Sequence, residues 1–255
     1  MKSDAPQSST KPRFLDDPYK STYQRVASPP VLISGATVLT GTGTRLDGAD
    51  VLMQDGRIVA VGTGLQVPAD AIRVDGTGKW VTPGIIDIHS HLGVYPSPVM
   101  SAHSDGNEAT SPVTPNVWAE HSIWPQDPGF LTALAGGITS LQVLPGSANL
   151  IGGRGVTLKN VPGTTYQSMK FPGAPWGLKM ACGENPKRVY GNKGGPSTRM
   201  ANVAGYRAAF IEAADYLKKN KPDADGKTED PGKRDLKNDT LAGAINGDIR
   251  VHIHC

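Results

Sequence analysis

From Val31 onward the apolar residues fall in short runs set off by glycine, and the period at which they recur changes along the chain. VLISGATVL (31–39) is rich in β-branched residues and predicts a strand. ADVLMQDGRIVAVG (49–62) has apolar runs on either side of Asp55-Gly56, a pair that favours the positive backbone angles of a type I′ turn, so a β-hairpin follows. IRVDGTGKWV (72–81) supplies one more short strand. Residues 31–80 therefore read as a small all-β unit, too small to stand well alone.

After Pro83-Gly84 the pattern becomes strand, then helix. IIDIH (85–89) is a short apolar strand. Asp127 is placed to cap a helix with Pro128 at its first position and Phe130, Leu131 and Leu134 on one face, closed by Gly136-Gly137. ITSLQVL, GVTLK and WGLKMAC are further short strands. The clearest helix is ANVAGYRAAFIEAADYLKKN (201–220), where Val203, Tyr206, Phe210, Ala213 and Leu217 recur at helical spacing and Lys218 and Lys219 fill the last turn. The charged stretch 221–235 reads as an exposed loop, and IRVHIHC (249–255) as a strand. Strands alternating with helices predict an α/β fold on a parallel sheet, open or closed into a barrel.

Composition narrows the class without naming a chemistry. Hydrophobic content of 38% with 19% charged residues is that of a globular chain,. Gly 31 and Pro 21 imply many tight turns,. A net charge of +3, spread along the chain, argues against a nucleic-acid partner,. No apolar run reaches the roughly 20 residues that span a bilayer, so no membrane partner is expected. Residues 1–30 are polar and Pro/Ser-rich, without a signal-peptide core, and read as a flexible arm. Cys182 and Cys255 show no spacing that defines a disulfide framework or a zinc knuckle, so the redox compartment stays open.

The histidines carry the chemistry. Residues two apart on a strand share a face, so Asp87, His89 and His91 look one way at the end of a strand. In a parallel barrel that face is the interior, at the end where active sites lie. Two imidazoles converging there can hold a divalent metal, zinc first, and such a metal acidifies bound water to a pKa of about 7. Asp87 is better placed to support a ligand than to join it. A bare His-x-His is more often an ordinary polar strand end; its surroundings decide.

WVTPGIIDIHSH (80–91), directly after a small β unit with an Asp-Gly hairpin, resembles the signature of the amidohydrolase superfamily. AGGITS (135–140) resembles its second landmark, the step into the second barrel strand. PGSANLIGGRGVTLK and GLKMACGENPKRVYG resemble an uncharacterised bacterial group in the branch related to imidazolonepropionases. The resemblance implies a metal-dependent (β/α)8 barrel, cut after about its fifth strand, over residues 81–255. It implies that His89 and His91 are the first metal ligands and that the strand-five ligand is His254, with His252 as the alternative. The middle ligand is Glu184, also the catalytic candidate in this chain, or Lys179, since a carbamylated lysine fills that role in many relatives; Glu184 is favoured.

Lys187, Arg188 and Tyr190 follow Glu184 and could read a substrate carboxylate, although such a run is commonly a solvated loop face. The polar, aromatic-studded loop 103–124 could form a lid, with His103 and His121 as surface residues rather than ligands. Gly152-Gly153-Arg154-Gly155 does not make a dinucleotide fingerprint, which needs G-x-G-x-x-G opening a helix.

The expected activity is hydrolysis of a C–N bond in a small-molecule amide, cyclic amide or N-acyl substrate, using one or two divalent ions. The superfamily also holds deaminases, ester hydrolases and non-catalytic members, though the last typically lose the His-x-His pair kept here. A whole barrel takes roughly 250 residues and about 175 follow the β unit, so the chain is expected to be truncated and inactive alone. A homo-oligomer that closes the sheet is one remedy. Relatives in this group are often exported, which leaves a periplasmic or secreted location as an expectation from resemblance only.

Overall fold

The computed structural model describes residues 17–220 and 233–255. The chain divides into a compact unit of Gln24–Ile85 and a larger one that holds Ile86–Cys255 together with the segment before Gln24.

The smaller unit is one sheet of β1 (Val31–Leu39), β2 (Arg45–Gln54), β3 (Arg57–Gly62), β4 (Ile72–Asp75) and β5 (Trp80–Val81). The order is β3-β2-β1-β4, with β5 also beside β1. The meander β1-β2-β3 is antiparallel, whereas β4 and β5 run parallel to β1. The turn between β2 and β3 has positive φ at both central residues, 53° at Asp55 and 69° at Gly56, the geometry that this dipeptide favours,. Alternation along β1 and β2 buries Ala36, Val38, Ala49 and Val51 together,.

The larger unit runs β6 (Ile85–Ser90), α1 (Pro128–Ala135), β7 (Ile138–Val143), β8 (Ile151–Lys159), α2 (Tyr166–Met169), β9 (Gly177–Ala181), α3 (Glu184–Tyr190), α4 (Arg199–Asn220), α5 (Leu236–Ile245) and β10 (Arg250–His254). Its five strands lie side by side in chain order, β6 at one edge and β10 at the other. The expectation of a wholly parallel sheet is corrected here. β9 and β10 are parallel, but β8 is antiparallel to both β7 and β9. The cause is loop length: only residues 144–150 link β7 to β8, and a parallel crossover needs a dozen residues or more.

Asp127 caps α1 by accepting the Gly129 N–H at 2.9 Å,, and Phe130 is the buried residue of that helix. It joins Leu141, Val143, Val156 and Leu158 in one core. A second core packs Leu178 and Met180 of β9 against Ala209 and Ala213 of α4 and Leu241 of α5. The expected face of α4 holds at Tyr206, Phe210 and Ala213, which pack into this core, whereas Val203 is 53% exposed and Asn202 and Ala209 are buried.

The pattern of apolar residues gives no sign of α5. Its buried stretch includes Asn238, Asp239 and Thr240, each satisfied by a particular partner rather than by an apolar stripe. Asn238 donates to Glu212, Tyr216 and Arg234 donate to Asp239, and Arg154 donates to Thr240. The Arg154 guanidinium is fully buried between the rings of Trp118 and Trp176, 4.3 and 4.8 Å from their centroids,. Burial pulls its pKa down to about 10. The chain crosses itself closely at this point: Gly153 has φ +115°, and a Cβ on it would lie 2.4 Å from the Val117 carbonyl oxygen.

Residues 1–16 of the expected arm and residues 221–232 of the expected loop lie outside the described residues. The described part of the arm is held down rather than free. Ser21 donates to the Lys170 carbonyl, Thr22 N–H to the Gln167 carbonyl, and Lys170 Nζ to the Tyr19 carbonyl. Lys170 is itself buried, and its ammonium sits 2.7 Å from Glu120 and 2.8 Å from Asp17. Removing one partner of a buried pair leaves the other charge stranded. Lys170→Met is therefore expected to destabilise the larger unit by about 3 kcal/mol or more. Denaturant unfolding checks this, and adding Glu120→Leu should recover much of the loss.

Candidate metal centre

β6 and β10 are the two edges of the larger sheet, four strand spacings apart, which is about 19 Å across a flat sheet,. Yet the ring of His89 on β6 lies 5.4 Å from that of His254 on β10, centroid to centroid. The sheet must therefore curl so that its concave face gathers both edges. Residues on the opposite face of the same strands, Ile86, Ile88, Val251 and Ile253, are exposed.

Besides His254, four groups meet on the concave side: His89, His91, Lys179 and His252. His89 and His91 have ring centroids 5.1 Å apart, edge to face. The Lys179 side chain, 1% exposed, reaches up from β9 between the edges. Its Nζ is 3.1 Å from His89 Nε2 and donates to the Pro145 carbonyl at 3.0 Å. His252 is the register partner of Lys179 on the neighbouring strand, and its Nε2 is buried with no hydrogen-bond partner.

Electrostatics follow from this crowding. Burial, then the charge of Lys179 and the neighbouring rings, holds His89 below the ordinary histidine range. Burial lowers His91 as well, partly opposed by its bond to the Leu144 carbonyl. His252 is lowered by burial, then by Lys179 and Arg250. Burial brings Lys179 down to about 8. These imidazoles are thus kept as neutral donors, the form that ligates metal. His91 Nδ1 lies 2.8 Å from the Leu144 carbonyl oxygen. A carbonyl only accepts, so Nδ1 carries the proton and Nε2 keeps its lone pair.

Among the described residues, no three His, Cys, Asp or Glu side chains form a metal-holding group by themselves. Lys179 adds a further nitrogen beside these rings, its Nζ 3.1 Å from His89 Nε2. The imidazoles of His89, His91 and His254 with the amine of Lys179 fit a divalent cation, zinc before the harder ions that prefer oxygen,.

The remaining sequence candidates lie elsewhere. Glu184, favoured as middle ligand, is not gathered in: its carboxylate is 75% exposed and pairs with Lys187 at 3.0 Å on α3. The run from Glu184 to Tyr190 is helical, not a loop. Arg188 is exposed on it, and Tyr190 is buried against the fold. Asp87 accepts the His89 backbone N–H at 3.0 Å, so it fixes the local main chain rather than the ring. His103 is half-buried beside Trp124, and exposed His121 stacks on Trp118. Gly152–Gly155 lie inside β8.

Cys182 and Cys255 follow adjacent parallel strands and are disulfide-bonded, a pairing that sequence separation alone did not suggest. Sequence reasoning also missed Tyr95, whose ring edges His91 and whose hydroxyl accepts from Asn107. A 600 Å³ cavity lined by Asn107, Trp118, His121 and Pro145 adjoins this shell through the Pro145 carbonyl that takes the Lys179 proton.

No protein-family model matches the chain. The chain is 34% identical to the amidohydrolase tasK of Hapsidospora irregularis over 98% of its own length and 28% of that protein. Its fold superposes on the crystal structure of an amidohydrolase from Thermotoga maritima with a TM-score of 0.78 at 40% identity, covering 88% of this chain and 58% of that one. A 62-residue stretch is 42% identical to a dihydroorotase of Geotalea daltonii, 24% of this chain and 15% of the enzyme. These likenesses support the amidohydrolase superfamily. The chain spans less than two thirds of each of these relatives.

The buried amine gives a pH test. The folded-state pKa of Lys179, about 8, lies below the ordinary 10.5. Between those values the unfolded chain binds more protons, so stability of the metal-free chain should rise with pH across that window and stay low below it. Lys179→Met should flatten the rise. Urea unfolding at about pH 7 and about pH 10 would show it.

Proposed function

We propose that this chain carries one half of the active site of a divalent-metal hydrolase that cleaves C–N bonds in small amides, cyclic amides or N-acyl compounds. The observation that carries the reading is the convergence of His89, His91 and His254 on Lys179 from three separate strands. Similarity to proteins named amidohydrolase and dihydroorotase supports the bond class. Within the superfamily we place the chain in the branch related to imidazolonepropionases. The curl of the sheet and the likeness to the Thermotoga maritima amidohydrolase support part of a (β/α)8 barrel over residues 81–255, with the antiparallel β8 as a departure from its parallel pattern. In this reading the single sheet within residues 31–80 is this chain's contribution to a small β-sandwich, and residues 1–30 precede it as an arm.

In this reading His89, His91 and His254 hold the metal through their rings, and Lys179 is the middle ligand in place of Glu184. When bound, a divalent cation supplies polarisation of the substrate carbonyl and an acidified water. Lys179 has two features that suit the role. Its depressed pKa leaves a usable fraction of free amine near neutrality, and the Pro145 carbonyl fixes the direction of its Nζ. A neutral lysine amine adds to carbon dioxide with loss of a proton, and the resulting carbamate oxygens would reach further into the centre than the amine. The exposed Ile86, Ile88, Val251 and Ile253 are the faces that the rest of a barrel would cover,.

Elemental analysis tests the proposal. This chain should hold about one zinc or similar ion, and the variant with both His89→Ala and His91→Ala should hold none. If both versions bind equally, or neither binds, the metal reading of these residues falls.

A further inference from the structure

Three of the four groups proposed to hold the metal, His91, Lys179 and His254, are contacted by one short segment. Leu144 to Ser147, between β7 and β8, presents three contacts almost in succession. The Leu144 carbonyl takes His91 Nδ1–H, the Pro145 carbonyl takes a Lys179 proton, and Ser147 Oγ lies within hydrogen-bond distance of His254 Nδ1. Two of these acceptors are main chain. Ser147 supplies the one side chain of the three. We propose that Ser147 is a positioning residue for the metal centre: its hydroxyl accepts Nδ1–H of His254, fixing that tautomer and turning Nε2 toward His89, His91 and Lys179. The inference rests on the metal-site reading above.

His254 has particular need of such a partner. It lies on the edge strand β10 and is exposed, so packing does little to choose its rotamer. An unrestrained imidazole divides between two tautomers and several ring orientations, and a ligand must give up that freedom on binding. Ser147 can restrain it because its own loop is anchored on both sides. Gly146 N–H donates to the Gly106 carbonyl at 2.7 Å and Ala148 N–H to Asn107 Oδ1 at 3.1 Å. The buried amide of Asn149 donates to the Glu108 and Ser111 carbonyls and to Thr114 Oγ1. Asn107 also donates to the hydroxyl of Tyr95, whose ring edges His91. The segment 105–114 therefore holds the orienting loop, and the loop holds the ligands.

The test compares Ser147→Ala and Ser147→Thr with the unaltered chain, by two readouts. Zinc affinity is measured by competition with a chromophoric chelator. The His254 tautomer is read in the metal-free protein from ring ¹⁵N shifts, assigned with His254→Gln. Ser147→Ala should weaken zinc binding about 10- to 100-fold, the range for losing a partner that orients a ligand, while Ser147→Thr keeps it. The Nδ1–H form of His254 should dominate in the unaltered chain and in Ser147→Thr, and give way to a mixture in Ser147→Ala. Unchanged affinity and tautomer in Ser147→Ala, or an Nε2–H tautomer in the unaltered chain, overturns the proposal. If the unaltered chain binds no zinc yet shows the Ser147-dependent tautomer, the metal reading fails and the positioning contact stands.

Discussion

A lysine ammonium buried on the concave face of a sheet is the constraint that the larger unit is built around. Taken out of water, the amine of Lys179 must find acceptors or give up its proton. The structure does both in part: the Pro145 carbonyl takes one N–H, His89 Nε2 stands at 3.1 Å, and burial brings the pKa to about 8. Neither acceptor is local to β9. One comes from the loop after β7 and the other from β6, so the amine ties a central strand to an edge and to the loop at the strand ends. The opposite face of β9 carries Leu178 and Met180 into the helix-side core, which anchors the strand from behind. A strand buried on both faces reads in sequence as a continuous apolar run, and a single lysine inside such a run has a reason to be there.

Local chemistry was the most legible part of the sequence. The Asp55-Gly56 turn, the Asp127 cap and each short strand follow from backbone preferences that act within a few residues. Two features were not legible, for related reasons. Strand direction depends on what the connection can span, and the seven residues between β7 and β8 permit only a hairpin, which the count of alternating elements concealed. The helix Leu236–Ile245 buries polar side chains whose partners, Arg154, Glu212 and Tyr216, come from other elements. No periodicity within ten residues reports bonds of that kind.

The site divides the same way. His89 and His91 could be found because one strand carries both. Lys179 and His254 could be named only through resemblance, and the choice between Lys179 and Glu184 turned on which one lies in the strand and which in the helix after it. Glu184 stands just beyond the end of β9, where a carboxylate would be drawn inward if the loop continued along the strand. Instead Gly183 breaks direction, with φ 69°, and α3 starts there, which points Glu184 to solvent and to Lys187. One backbone turn therefore separates the two candidates. Leu144 and Pro145 act through carbonyls, which no side-chain pattern records.

The curvature of the sheet links fold to site most directly. His89 and His254 sit on strands at opposite edges, and flat pleating would leave them far out of reach of a common ion. Right-handed twist alone rotates neighbouring strands without closing such a gap. The rings meet because five strands in chain order curl toward one side, and that side is where the buried lysine, the neutral imidazoles and the loop carbonyls all point. The same curl turns Ile86, Ile88, Val251 and Ile253 outward on the convex side. The approach of His89 and His254 therefore depends on keeping the curl, and a change that flattens the sheet should separate the two rings without touching either of them.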